Sequence, residues 1–174
     1  AVDQGKTQKL LRRPLPDRHL NPKMHIKDWM TASSLVALMQ YHYAATWFMV
    51  GLIWVIQLVH YPMFARLASH SYQDSHRFHA NRITWIVAPV MSVELFLSIA
   101  LSLHPMAHRW AASTGLLLLV VIWAITALIM IPLHQRLASD GFSAPLHAAL
   151  LAWNWTRTIA WSARGLLCLV WLHQ

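Results

Sequence analysis

The sequence predicts an all-α fold, a four-transmembrane-helix up-down bundle, on three observations. Of the 174 residues, 57% are apolar and only 11% are charged, and the mean hydropathy is positive. Soluble domains of this size carry about 25% charged residues, so this chain cannot coat itself against water. Four apolar stretches run over roughly 35–62, 83–104, 110–133 and 149–172. Each has about the 20 residues that carry a helix across hydrocarbon. The connections between them are short, which makes consecutive helices antiparallel neighbours. In lipid the backbone must satisfy its own hydrogen bonds, and helices do so without closing a barrel. The Ala, Ser and Gly content of the stretches suits close helix packing. Ten tryptophans suit rings placed at bilayer interfaces.

Two regions follow from the charge pattern. Residues 1–30 form a basic arm, in which Pro14, Pro16 and Pro22 interrupt any helix; residues 31–174 form the transmembrane domain. The formal net charge is +8, and seven of the fourteen Lys and Arg precede Met30. A basic arm beside a membrane span reads anionic headgroups or a partner protein, not nucleic acid. The chain begins with Ala, as a processed chain does, and its first apolar run is too long for a cleavable signal. Cys168 is the single cysteine, which excludes an internal disulfide and a thiolate metal site.

Taken in order, the first helix is expected to end or kink near Pro62 and the third near Pro132. Pro89 should bend the second. An internal repeat links these features. Pro62-Met63-Phe64-Ala65-Arg66-Leu67-Ala68-Ser69 aligns with Pro132-Leu133-His134-Gln135-Arg136-Leu137-Ala138-Ser139, an offset of 70 residues. Tyr72 then matches Phe142, and Arg82 and Trp85 resemble Arg157 and Trp161 after a short gap. The repeat implies two tandem hairpins related by a pseudo-twofold axis along the membrane normal. Both termini lie on one face. The arm's positive charge favours placing that face in the cytoplasm, although the charges nearest the spans almost balance.

Ionisable side chains inside a span are costly and point to function or to structural pairing. Glu94, the only glutamate, falls near the middle of helix 2; Arg164 falls near the middle of helix 4. Counted from the face carrying the termini, their depths nearly coincide, which predicts an inward-facing ion pair. Counted instead from the loop face, with Arg82 and Arg157 as equivalents, Glu94 and Arg164 differ by about 7.5 Å, within reach of two long side chains, while Arg157 lies about 18 Å from Glu94 along the axis, too far to compete. The spacing of Asn154, Arg157, Trp161 and Arg164 puts all four on one helical stripe facing the interior. Histidines gather at the face carrying the 1–2 and 3–4 loops. A polar pocket there would be lined by His60, His79, Arg82, His134, Asn154 and Arg157. Three readings stay open: interfacial histidines bonded to carbonyls and headgroups, a proton or substrate site, or a site for metal or haem. No metal-ligand pairing motif is present on any one helix, and the sequence specifies no cofactor. His42 lies eighteen residues from His60, about 27 Å along a helix, so the two cannot serve one site.

The stretches TWFMVGLIWVIQLVHYPMFARL, HRFHANRITWIVAPVMSVE, IPLHQRLASDGF and NWTRTIAWSARG resemble small bacterial inner-membrane proteins, and loosely the anthrone-oxygenase-like group of four-helix membrane domains. The resemblance covers about residues 40–172. It implies the four-helix fold, a multi-pass place in the bacterial inner membrane and a cofactor-independent oxygenase relative, without a transferable catalytic motif. Two functional classes are therefore expected. One is an accessory subunit of a larger membrane complex, respiratory or photosynthetic, docked on lipid and other membrane subunits through the arm. The other is a small membrane oxidoreductase, oxygenase-like or haem- or metal-binding protein using the polar pocket.

Overall fold

Proline and glycine punctuate this chain, and the helices follow them. The computed structural model describes residues 22–105 and 107–172, and every regular element among them is helical. Helix α1 (Pro22–Val55) runs through a π-helical turn (Ile56–His60) into α2 (Tyr61–Phe64). Helix α3 spans Ser69–Leu103. Helix α4 (Arg109–Ile125) passes through a second π turn (Thr126–Met130) into α5 (Ile131–Asp140), and α6 spans Ala144–Leu172. The chain divides into two units, Ala1–Ser33 and Ser34–Gln174.

Two expectations are corrected here. Pro22 opens a helix rather than preventing one, because a proline in the first helical turn sacrifices no intrahelical donor. Helix 2 begins at Ser69, not near residue 83, so His76 and His79 are helical residues. Pro89 lies inside α3, where the sequence placed it. Residues 1–21, which contain Pro14 and Pro16, lie outside the described residues.

Pro62 and Pro132 act through the π turns that precede them. The Tyr61 N–H donates to the Ile56 carbonyl and the Ile131 N–H to the Thr126 carbonyl, five residues back in each case. A proline ring clashes with the carbonyl four residues earlier. The wider turn gives that ring room. The two turns sit 70 residues apart, at the offset of the sequence repeat. Gly141, at φ 89°, closes α5; an L side chain rarely adopts this conformation.

The stretches Ser33–Phe64, His70–Leu103 and Arg109–Asp140 are long and apolar enough to cross a membrane. Helix α6, at 29 residues, has the length but not the apolarity, because Asn154, Arg157 and Arg164 lie within it. It packs against α4, α5 and both π turns, while α3 packs against α4 and α5. At Gly165 a Cβ would meet Val50 at 3.3 Å and Trp47 at 3.4 Å, so glycine lets α1 and α6 approach closely.

The distribution of polarity is inverted relative to a soluble protein. Trp85 is 80% exposed, Leu103 79%, Leu128 75% and Phe96 70%, while Glu94, Asn154, His76 and Thr46 are fully buried. Water would penalise both halves of this arrangement, and a bilayer reverses the sign for the apolar surface. A core of Met49, Ile53, Tyr61, Met91, Ile122, Leu150 and Trp161 holds the second unit together. Among the described residues that core begins at Met49, and removal of residues 1–28 should leave the helical circular dichroism and melting temperature of the bundle unchanged. Binding to vesicles containing an anionic phospholipid should weaken. Loss of the folded bundle on truncation would make the arm part of the fold.

Candidate functional site

Two polar centres lie inside the second unit, and the inward stripe of α6 contributes to both. The first is built around Glu94. Its inward position follows from helical phase: on α3, Tyr72, His76, Met91, Glu94, Ser98 and Leu101 recur at helical spacing, and all are buried. Arg164 Nη2 lies 2.9 Å from Glu94 Oε1 and Nε lies 3.2 Å from the same oxygen. Thr46 donates to Oε1 at 2.8 Å and Trp161 Nε1 to Oε2 at 3.1 Å. The depth count thus agrees with the contact found, and Arg157 is not part of it. Arg164 also donates to the Gly115 carbonyl and to Ser98 Oγ. It faces His42 Nε2 at 3.2 Å. A guanidinium only donates, so Nε2 accepts and the proton sits on Nδ1, 3.8 Å from Cys168 Sγ. A void of about 10 Å³ beside His42, Ser98, Arg164 and Cys168 offers room for about one water.

The second centre lies at the loop end. His60 and His79, expected there, bring their rings to 5.2 Å. His134, also expected, is the middle of a hydrogen-bonded chain. Its Nε2 is 3.0 Å from the Tyr61 hydroxyl and its Nδ1 is 3.0 Å from His76 Nε2. Tyr72 stacks on His76 at 5.5 Å. Tyr61 touches both ring sets, with centroids 6.3 Å from His79 and 5.7 Å from His134. Asn154 donates to Gln57 Oε1 at 2.6 Å and accepts from Arg157 Nη1 at 3.2 Å. Arg157 is buried, and its guanidinium lies 5.2 Å from the Trp161 ring.

Arg82 does not join these buried groups. It is exposed and stacks on Phe78 at 5.4 Å. It lies one position off the inward stripe, next to half-buried Ile83. Together with His60, His79, Phe64, Phe78 and Ile86 it lines a cleft of about 670 Å³ between the end of helix 1 and the start of α3. The repeat-related Arg82 and Arg157 therefore occupy opposite environments, one at the rim and one in the core.

Several nitrogens and oxygens in the second centre lack a partner: His60 Nδ1, His76 Nδ1, His79 Nε2, both nitrogens of His147, Tyr72 Oη and Arg157 Nε. Buried polar atoms are nearly always hydrogen-bonded to protein or to ordered water, so this concentration sets the second centre apart from an ordinary protein interior. Among the described residues no group of three or more His, Cys, Asp or Glu side chains is arranged to hold a metal ion. The chain from Tyr61 through His134 to His76 can relay a proton, since each neutral imidazole accepts at one nitrogen and donates from the other.

Sequence reasoning left Tyr61, His76 and Gln57 out of the pocket and His42, Thr46, Ser98 and Cys168 out of the Glu94 centre. The signal was present on helix 1: His42, Thr46, Met49, Ile53 and Gln57 fall on one helical face. No family model, curated protein or solved structure matches the chain.

Proposed function

We propose that this chain is a four-span membrane protein of two tandem hairpins, and that it is a small membrane enzyme of oxidoreductase or oxygenase-like type. Its working centre is the loop-end pocket. There it binds a lipid-soluble substrate and exchanges a proton with it. The observation that carries this reading is the concentration of buried, unpartnered imidazole nitrogens beside a cleft of about 670 Å³. Ligand sites are typically apolar clefts of about 300–1,000 Å³ with a few convergent polar groups. Here Phe64, Phe78 and Ile86 supply apolar wall, and His60 and His79 supply hydrogen-bonding groups.

Two features support the fourth span and the tandem hairpins. The polar residues of α6 point inward, so its outer face remains apolar: Ile159, Leu166 and Val170 are exposed. The paired π turns recur at the repeat offset. The accessory-subunit expectation rests on the basic arm, whose residues 1–21 lie outside the described residues.

The test uses the full chain in phosphatidylcholine nanodiscs, incubated with a lipid extract of its native membrane and analysed by mass spectrometry for what stays bound. One or a few compounds should be retained, and the exchange Ile86→Trp, which fills the cleft from a partly exposed position, should abolish retention. Equal retention by the variant would sink the reading. A Soret band or stoichiometric metal in the purified protein would replace it with a cofactor-protein reading.

A further inference from the structure

Charge balance inside the second unit singles out Arg157. Its buried ionisable carboxylate is Glu94, and its buried guanidiniums are Arg157 and Arg164. Arg164 is matched by Glu94 in the single ion pair found among the described residues. Asp74 and Asp140 are exposed and do not pair with Arg157. Arginine does not lose its proton in proteins. Among the described residues, this guanidinium, 5% exposed in the bundle core, therefore carries one positive charge with no carboxylate paired to it. Buried charges are ordinarily paired, because an uncompensated one costs several kcal/mol.

What surrounds that charge is suited to an anion. Nη1 donates to Asn154, the plane stacks on Trp161, and the Tyr61 hydroxyl lies close by. Nε has no partner. None of these neighbours carries a negative charge. The route from the cleft is short: His79 lines it, the His79 and Tyr61 rings are in contact, and Tyr61 adjoins Arg157. Arg82 and Asp74, of opposite charge, both line the cleft.

We propose that Arg157, with Tyr61, is the anchor for the ionised oxygen of an acidic, lipid-soluble ligand whose apolar body occupies the cleft. This inference rests on the cleft being a binding site, as argued above, and adds the chemical class of its occupant. The ligand supplies a counter-charge that Arg157 does not find among the described residues. A neutral ligand of the same shape fills the cleft but leaves Arg157 uncompensated.

Dodecanoate labelled with ¹³C at its carboxyl carbon and methyl dodecanoate serve as probes, titrated into the full chain in phosphatidylcholine nanodiscs. The wild-type protein should bind one dodecanoate about tenfold to a hundredfold more tightly than the ester, the range that charge-assisted hydrogen bonds supply. Arg157→Gln should erase that preference while keeping ester binding, and Arg157→Lys should retain most of it. Tyr61→Phe, which keeps the ring, should reduce it. Equal affinity of acid and ester for the wild type, which needs no variant, would overturn the inference and leave the cleft reading standing. So would a preference that survives Arg157→Gln. If the wild type binds neither probe, or if Ile86→Trp leaves ester binding unchanged, the cleft reading falls and this inference with it.

Discussion

Replacing Glu94 with Gln should destabilise the bundle by about 3–5 kcal/mol, whereas the double change Glu94→Gln with Arg164→Met should recover most of that loss. The single change removes one charge from a pair that is 0% and 1% exposed, leaving Arg164 buried without its carboxylate partner. The carboxamide oxygen still accepts from Thr46, but its NH2 then faces the Trp161 N–H, so the charge and one hydrogen bond are lost while the shape is kept. The double change removes both charges and puts an apolar chain of comparable length against Gly115 and Leu167. Replacing a buried ion pair by packed apolar residues is often neutral or better, while breaking one is costly. Reversible unfolding in mixed micelles measures all the terms of the cycle. Equal losses for single and double variants, or a single-variant loss below about 1 kcal/mol, would mean that the pair does not set the stability of this centre.

The all-helical fold and three apolar spans were legible where physics acts along one dimension. Apolar runs mark spans because hydrocarbon thickness sets a length, and the Glu94–Arg164 contact could be anticipated because depth along antiparallel helices adds at a fixed rise per residue. The start of α3 was misjudged for a related reason. His70–Arg82 is too polar to read as a span, yet nothing between Ser69 and Ala88 breaks a helix, and its inward face packs on Phe64 and Leu137. The pocket was legible in part. His60, His79 and His134 converge, and Asn154 holds Arg157, but Arg82 turns out to the cleft rim. A one-position phase error of about 100° separates Arg82 from the inward position at Ile83, and the π turns shift phase again at residues 56–60 and 126–130. Such phase steps carry no marker in the sequence beyond the following proline. The hydrogen-bonded chain through Tyr61 and His76 depends on them.

Trp161 joins the two centres, and its removal should have the second large effect. The side chain is fully buried, donates from Nε1 to Glu94 at 3.1 Å, and offers its ring to the Arg157 guanidinium at 5.2 Å. Trp161→Ala should cost about 3–5 kcal/mol, the range for truncating a buried aromatic. Trp161→Phe separates the contributions. It keeps an apolar ring under Arg157 but leaves a carboxylate oxygen of Glu94 without its indole donor, a loss of about 1–3 kcal/mol. The indole also separates the two guanidiniums on α6, Arg157 and Arg164, with its ring toward one and its N–H serving the carboxylate that neutralises the other. An indole N–H donates but does not accept, so Trp161 interrupts any proton path along α6. Trp161→Gln, which can both donate and accept, should therefore admit water between the centres. In liposomes with an imposed pH gradient, the Gln variant should leak protons faster than wild type, and the Phe variant should stay tight. A Phe variant as leaky as the Gln variant would show that the seal is a matter of ring volume rather than of donor chemistry. An equally tight Gln variant would mean that the two centres are insulated by the surrounding core, with Trp161 serving packing alone.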